Sequence, residues 1–232
     1  MYPGGKNTSY QKIINRIPPH KTYIEAFTGS GAVGFYKLPA EQNIFLDINE
    51  AVLLETKARF LAAASLNVAM LPGNYHFYCL DALYYLAETK LKKSTFVYVD
   101  PPYLMHTRKQ QRPLYDFEMT DSQHEDLLKL LLGLDCYVMI SGYWSEMYAD
   151  TLRDWHTFSF QSMTRGGSMA TEWLWMNYPE PVRLHDYRYL GEDFRQRERI
   201  KRKRQRWAAK LAGLDVLEQR AILWAMDEAG LL

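Results

Sequence analysis

Short apolar runs alternate with longer amphipathic stretches along most of this chain. The runs at residues 22–27, 43–46, 75–79, 96–99, 136–141, 157–163 and 172–177 are rich in Val, Ile, Tyr, Phe and Trp, so they predict strands. Residues 9–17, 32–37, 50–66, 81–91, 122–132 and 145–152 carry apolar side chains at helical spacing. Strands and helices that alternate in this way predict an α/β domain on a Rossmann-like, doubly wound, mainly parallel sheet. The last two runs follow one another without a helix, which predicts an antiparallel hairpin at the end of that sheet. Thr120 with Gln123 three residues later predicts a capping box at the start of the fifth helix.

The pattern changes near residue 185. Between Arg195 and Lys210 there are nine lysines and arginines against one acid, Glu198, whereas the whole chain carries a net charge of only +1. The remainder is therefore acidic on balance. A segment so unlike its neighbours points to an acidic partner, although a cation run is also what one solvated helix face looks like. Trp207, Leu211 and Leu214 give it an apolar stripe, Gly213 reads as a stop, and Asp215 with Glu218 reads as the capping box of a final helix through Trp224. The expected organisation is a sheet domain over residues 1–185 and a basic helical extension over 186–232.

At 232 residues and 47% hydrophobic the chain can bury a substantial core. No apolar run approaches the roughly 18 residues that span a bilayer, and no cleavable leader is recognisable. The expectation is a soluble, cytoplasmic monomer with no membrane partner. Cys79 and Cys136 both fall in apolar runs and read as reduced core residues. The six histidines lack ligand spacing, so no metal is expected.

The most specific chemistry lies in Phe96-Val97-Tyr98-Val99-Asp100-Pro101-Pro102-Tyr103. An apolar strand here ends in an acid, two prolines and an aromatic, delivered at the carboxyl edge where α/β sheets bind ligands. The prolines fix the backbone and leave free carbonyls. One carboxylate, a rigid carbonyl and one ring suit the capture of a planar base with an exocyclic amine. Asp100 and the Pro101 carbonyl would accept its two hydrogens and Tyr103 would stack on its face, so that acceleration comes from positioning and aimed dipoles. The plainer alternative is a strand followed by a Pro-Pro turn.

A second constellation precedes it. Gly29-Ser30-Gly31-Ala32-Val33-Gly34 matches the glycine fingerprint of dinucleotide sites, and Asp47 lies 18 residues beyond Gly29, where an acid binds ribose hydroxyls. A nicotinamide-dependent oxidoreductase is thus one reading, but nothing supplies a hydride-transfer site as clearly as residues 100–103 supply an amine clamp.

Asp100-Pro101-Pro102-Tyr103 resembles the catalytic motif of amino-group DNA methyltransferases, and the order of motifs resembles the Dam-type adenine methylases. Tyr2-Pro3-Gly4-Gly5-Lys6 is similar to their opening motif, and Glu25-Ala26-Phe27-Thr28-Gly29-Ser30-Gly31 to their methyl-donor loop. Residues 140–143 and 171–178 also look like family segments, so the resemblance spans about residues 2 to 178. It implies an enzyme that methylates the N6 amine of a flipped-out adenine in DNA, using S-adenosylmethionine. It places Tyr2, Gly5, Lys6, Phe27, Gly29, Gly31, Asp47 and Asp81 around the donor, with Lys6 near its carboxylate, Asp47 on its ribose and Asp81 against its adenine. Core packing for Phe27, a solvated surface for Lys6 and helix capping for Asp47 and Asp81 are the structural alternatives.

Three segments are candidates for nucleic acid. Residues 104–119 form a long connection with Arg108, Lys109 and Arg112 in front of Tyr115 and Phe117, suited to hold phosphate and to stack. Residues 163–169 form a glycine-rich tip around Arg165, and the tail offers Arg199, Lys201, Arg202, Lys203 and Arg204. Dam-type enzymes insert a target-reading domain before the catalytic motif, whereas here residues 47–100 hold little beyond two helices and a strand. Short or relaxed sequence specificity is the corresponding expectation. An inactive nucleic-acid-binding module with a methyltransferase-like core is a further alternative.

Overall fold

The computed structural model describes residues 4–65, 73–109, 111–163 and 167–231. Tyr2 and Arg165 lie outside these residues. The chain forms two compact units, Met1–Asp186 and Tyr187–Leu232.

The first unit is built on seven strands: β1 (Thr22–Ala26), β2 (Gln42–Asp47), β3 (Asn74–Cys79), β4 (Thr95–Val99), β5 (Tyr137–Gly142), β6 (His156–Met163) and β7 (Met169–Met176). Their order is β3-β2-β1-β4-β5-β7-β6. The first five strands are mutually parallel, whereas β7 is antiparallel to both of its neighbours, β5 and β6. The predicted hairpin is thus present, with its second strand inserted next to β5. Dinucleotide-binding sheets place strands in the order 3-2-1-4-5-6, and the antiparallel β7 inside that order departs from it.

Strand burial follows position. All five residues of β4 are buried, and β1 is nearly so, because central parallel strands are covered on both faces. Ile24, Ala26, Leu46, Val97, Val99, Val138 and Ile140 belong to one core with Leu86, Leu127 and Leu131. The alternate positions carry aromatics: the Tyr23 and Phe96 rings stack at 6.1 Å, and Phe45 lies 4.9 Å from both Phe60 and Phe77. This is the period-two alternation of strands, with both faces apolar. Edge strand β3 has a single neighbour, and Cys79 at its end is exposed; only Cys136 is buried, which corrects the expectation of two core thiols.

Helices α1 (Tyr10–Ile14), α2 (Ala32–Tyr36), α3 (Glu50–Ser65), α4 (Ala82–Glu88), α5 (Asp121–Leu132) and α6 (Glu146–Thr151) complete the unit. Gly34 lets α2 approach the sheet: a Cβ there would lie 2.4 Å from the Phe45 ring and 2.6 Å from Glu25 Oε2. The capping box of α5 forms as predicted, since Thr120 accepts from the Gln123 N–H and Gln123 reaches back to Thr120.

The second unit contains α7 (Phe194–Ala212) and α8 (Val216–Glu228), capped by Asp193 and Asp215. Asp215 accepts from the Leu217 N–H rather than from Glu218. Neither helix buries a residue, and Trp207 and Trp224 are both more than half exposed. Among the described residues no helix is long and apolar enough to cross a membrane.

Candidate active site

The order in which strands are laid across the sheet reverses between parallel β1 and β4, which pair in register from Thr22↔Thr95 to Ala26↔Val99. Their carboxyl ends part at this switch point, where α/β sheets bind ligands. Beyond Ala26 the backbone turns sharply: Phe27 has φ 59°, an uncommon conformation for an aromatic residue, and Gly29 and Gly31 follow at 49° and 57°. The loop is held on every side. Thr28 Oγ1 donates to the Glu25 carbonyl at 2.9 Å, Thr56 Oγ1 donates to the Gly29 carbonyl at 2.7 Å, and Arg59 donates to the Ser30 carbonyl. A Cβ on Gly31 would meet Thr56 at 2.9 Å.

Asp47, at the end of β2, ties this loop to the next crossover. Its Oδ2 accepts from the Gly29 N–H at 2.8 Å and its Oδ1 from the Asn49 N–H at 2.9 Å. Burial raises its pKa, opposed by those two N–H groups. Each oxygen keeps acceptor capacity for a further hydroxyl.

Glu25 supports the loop from below, where it accepts from the Tyr23 hydroxyl at 2.9 Å and the Gly34 N–H at 2.8 Å. Burial pushes this carboxyl from 4.5 up to about 7 against those hydrogen bonds. A proton held more tightly in the folded chain favours folding at low pH, and that contribution is lost as pH rises through about 7. Glu25→Gln is expected to gain stability over wild type by about 3 kcal/mol between roughly pH 4.5 and 7. Thermal melts across that range check this, and a constant difference between the two proteins would rule it out.

At the end of β4, Asp100 Oδ1 accepts from Ser141 Oγ at 2.6 Å, and its Oδ2 forms an ion pair with Lys6 Nζ at 2.7 Å. Lys6 is buried, at 4% exposure, and also faces Glu172 Oε2 at 3.7 Å and the Tyr103 ring at 5.0 Å. Burial opposes its charge, but Asp100 and Glu172 prevail and raise its pKa well above the usual lysine value. Tyr103 donates to Glu172 Oε2 at 3.2 Å and packs edge-on against Tyr143.

One cleft of about 320 Å³ joins these parts. Gly5, Lys6, Phe27, Gly29 and Asp47 line it together with Asp100, Pro101, Pro102 and Tyr103. Gly31 shapes the loop without lining the cleft. Asp81 is exposed, accepts from the Tyr84 N–H as the cap of α4, and is not among the lining residues. Local capping explains its place.

The long connection departs from expectation. Arg108 is buried at 7% exposure; it donates to the Tyr103 carbonyl and makes a bidentate pair with Glu118, at 2.8 and 2.6 Å. It is a loop staple rather than a phosphate ligand. Tyr115 and Phe117 turn into the cleft wall, and Asp116 accepts from Asn49 Nδ2 at 3.0 Å. Lys109 and Arg112 are exposed, as are Arg199, Lys201, Arg202, Lys203 and Arg204 on α7. Sequence reasoning gave no individual role to Ser141 or Glu172. The available signal for Glu172 is an acid inside the Trp- and Leu-rich strand β7.

Topology and cleft together give a Rossmann-like α/β sheet with the glycine loop and Asp47 at one end of the cleft and Asp100 at the other. Residues 2–60 match the D12 class N6 adenine-specific DNA methyltransferase family. Over those residues the chain is similar to the Dam-type adenine methyltransferases. No curated protein matches it. Among solved structures it is similar to the N-methyltransferase NodS from Bradyrhizobium japonicum, with a TM-score of 0.49, 8% identity and coverage of 75% of this chain and 95% of that one. A SAM-dependent methyltransferase from Methanosarcina mazei gives a TM-score of 0.48 and 10% identity, over 71% of this chain and 95% of that one. Precorrin 8w decarboxylase from Methanobacterium thermoautotrophicum gives 0.47 and 11%, over 75% and 91%.

Proposed function

We propose that this enzyme transfers a methyl group from S-adenosylmethionine to the N6 amine of an adenine turned out of duplex DNA, with short or relaxed sequence specificity. The observation that carries the reading is the Lys6 ammonium, 2.7 Å from Asp100 in the cleft that also holds the Gly29 loop. It marks Asp100 as an acceptor for a nitrogen carrying hydrogens.

The residues present fit the donor. Phe27 and Gly29 form a tight loop whose backbone a ligand can approach closely, and Asp47 retains acceptor capacity for ribose hydroxyls. When bound, S-adenosylmethionine supplies an electrophilic methyl on a sulfonium centre. Asp100 and the Pro101 carbonyl take the two amine hydrogens, which favours a tetrahedral nitrogen with its lone pair free of the ring. The nitrogen would take the methyl as the S–CH3 bond of the sulfonium breaks, its electron pair staying on sulfur as a thioether, and one amine proton leaves to solvent. Tyr103 offers a face for the base. Turning the base out costs about a few kcal/mol, repaid by this pocket.

Lys109, Arg112 and the α7 cations are the groups we assign to phosphate. The segment between Asp47 and Asp100 contains α3, β3 and α4 among its described residues, which favours loose target reading.

Labelled methyl transfer from S-adenosylmethionine to unmethylated duplex DNA, followed by nucleoside analysis, tests the reading. N6-methyladenine is expected. Donor binding with no transfer to DNA would overturn DNA as the substrate.

A further inference from the structure

We infer that Glu172 is a positioning residue that takes over the Lys6 ammonium when Asp100 receives the amine of the target base. The inference rests on the adenine reading above. Both oxygens of Asp100 are engaged: Oδ1 by Ser141 and Oδ2 by Lys6. Each oxygen has a further lone pair, but the ammonium on Oδ2 also stands over the Tyr103 ring, the face offered to the base, so seating the base displaces Lys6. Ser141 is fixed between strands, since its Oγ lies 3.1 Å from the Tyr98 hydroxyl and 3.4 Å from the Val99 carbonyl. Lys6 sits on a flexible four-carbon stem.

A desolvated ammonium needs an acceptor wherever it moves, and Glu172 supplies one. Its Oε2 is 3.7 Å from Lys6 Nζ, an ion-pair distance but too long for a hydrogen bond. A shift of about 1 Å makes it one. Glu172 is itself held in place: it is 8% exposed on β7, Ser162 donates to Oε1, and Tyr103 donates to Oε2. Lys6 also lies over the Tyr103 ring. One displacement towards Glu172 therefore clears both the Asp100 oxygen and that face of the stacking ring.

The test is a double-mutant cycle on methyl transfer. Glu172→Gln preserves shape and polar partners but removes the charge that receives Lys6. It is expected to lower kcat/KM for DNA about 30-fold, with donor affinity within about threefold of wild type. In a Lys6→Met background Glu172→Gln should have little further effect, because the ammonium that Glu172 receives is gone. Glu172→Asp should recover about tenfold of the loss, and the same cycle built on it serves if the amide variant does not fold. A Glu172→Gln rate within about threefold of wild type, or single losses that multiply in the double variant, would overturn the inference. Wild-type transfer to adenine with either of those results sinks this inference alone; no wild-type transfer sinks the adenine reading and this inference with it.

Discussion

Asp100→Ala is expected to slow methyl transfer about a thousandfold or more while donor affinity changes less than about threefold. The asymmetry follows from the geometry of the cleft. On the proposed reading the donor lies against the glycine loop after β1 and Asp47 at the end of β2, whereas Asp100 stands at the end of β4. Removing its carboxylate deletes the acceptor for the reacting amine and leaves the glycine loop intact. A second effect accompanies the first: Lys6, buried at 4% exposure, keeps only Glu172 at 3.7 Å and the Gly4 carbonyl at 3.1 Å. Breaking a buried pair in this way costs about 3 kcal/mol, so the variant should also melt at a lower temperature. Asp100→Asn separates the two effects, because it keeps an acceptor for Ser141 and the volume of the side chain, yet presents N–H groups to both Lys6 and the amine. It should remain inactive. Rates of labelled methyl incorporation, donor calorimetry and melting curves check all three expectations, and equal turnover in either variant would remove Asp100 from the chemistry.

The parts of this molecule legible in the sequence are those set by local pattern. The central strands read correctly because strands covered on both faces are continuous apolar runs, as β4 is throughout. The Thr120 capping box and the stop at Gly213 are likewise local. Asp100 and Tyr103 were visible because a strand end, two prolines and a ring are contiguous. Their partners were not. Ser141 and Glu172 reach Asp100, Lys6 and Tyr103 only through the order β4-β5-β7, and strand order is not written in any one segment.

The charged residues misled for a related reason. Arg108 sits in a polar-looking loop, where a cation suggests phosphate, yet Glu118 ten residues later closes a bidentate pair that buries it. Asp81 stands where a donor ligand is expected, but the first turn of α4 offers an unpaired N–H at closer range. Tyr115 and Phe117, read as stacking groups for a nucleic acid, line the cleft beside Asp100 and Tyr103. For Arg108 and Asp81 the nearer partner wins, and for Arg108 it is known only once the loop has a path.

Replacing Arg199, Arg202 and Arg206 together by Ala is expected to weaken duplex DNA binding about tenfold to a hundredfold at low salt and to reduce the salt slope by about 2 to 3. The three lie along one side of α7, where they line a shallow groove with Phe194 and Glu198. Each cation that meets a phosphate releases a condensed counterion and contributes about 0.9 to the slope of log K against log salt. A helix that merely keeps the chain solvated contributes nothing to that slope. Stability is a clean control, because α7 has no buried residue and exposed substitutions usually change folding by less than about 0.5 kcal/mol. The sequence dependence of methylation should not change, since phosphate contacts position a protein without reading bases. Affinity measured by titration at several salt concentrations, together with the distribution of methylated sites, checks both statements. An unaltered slope would return these arginines to solvent, whereas an altered slope with a shifted site preference would make α7 a reader of sequence.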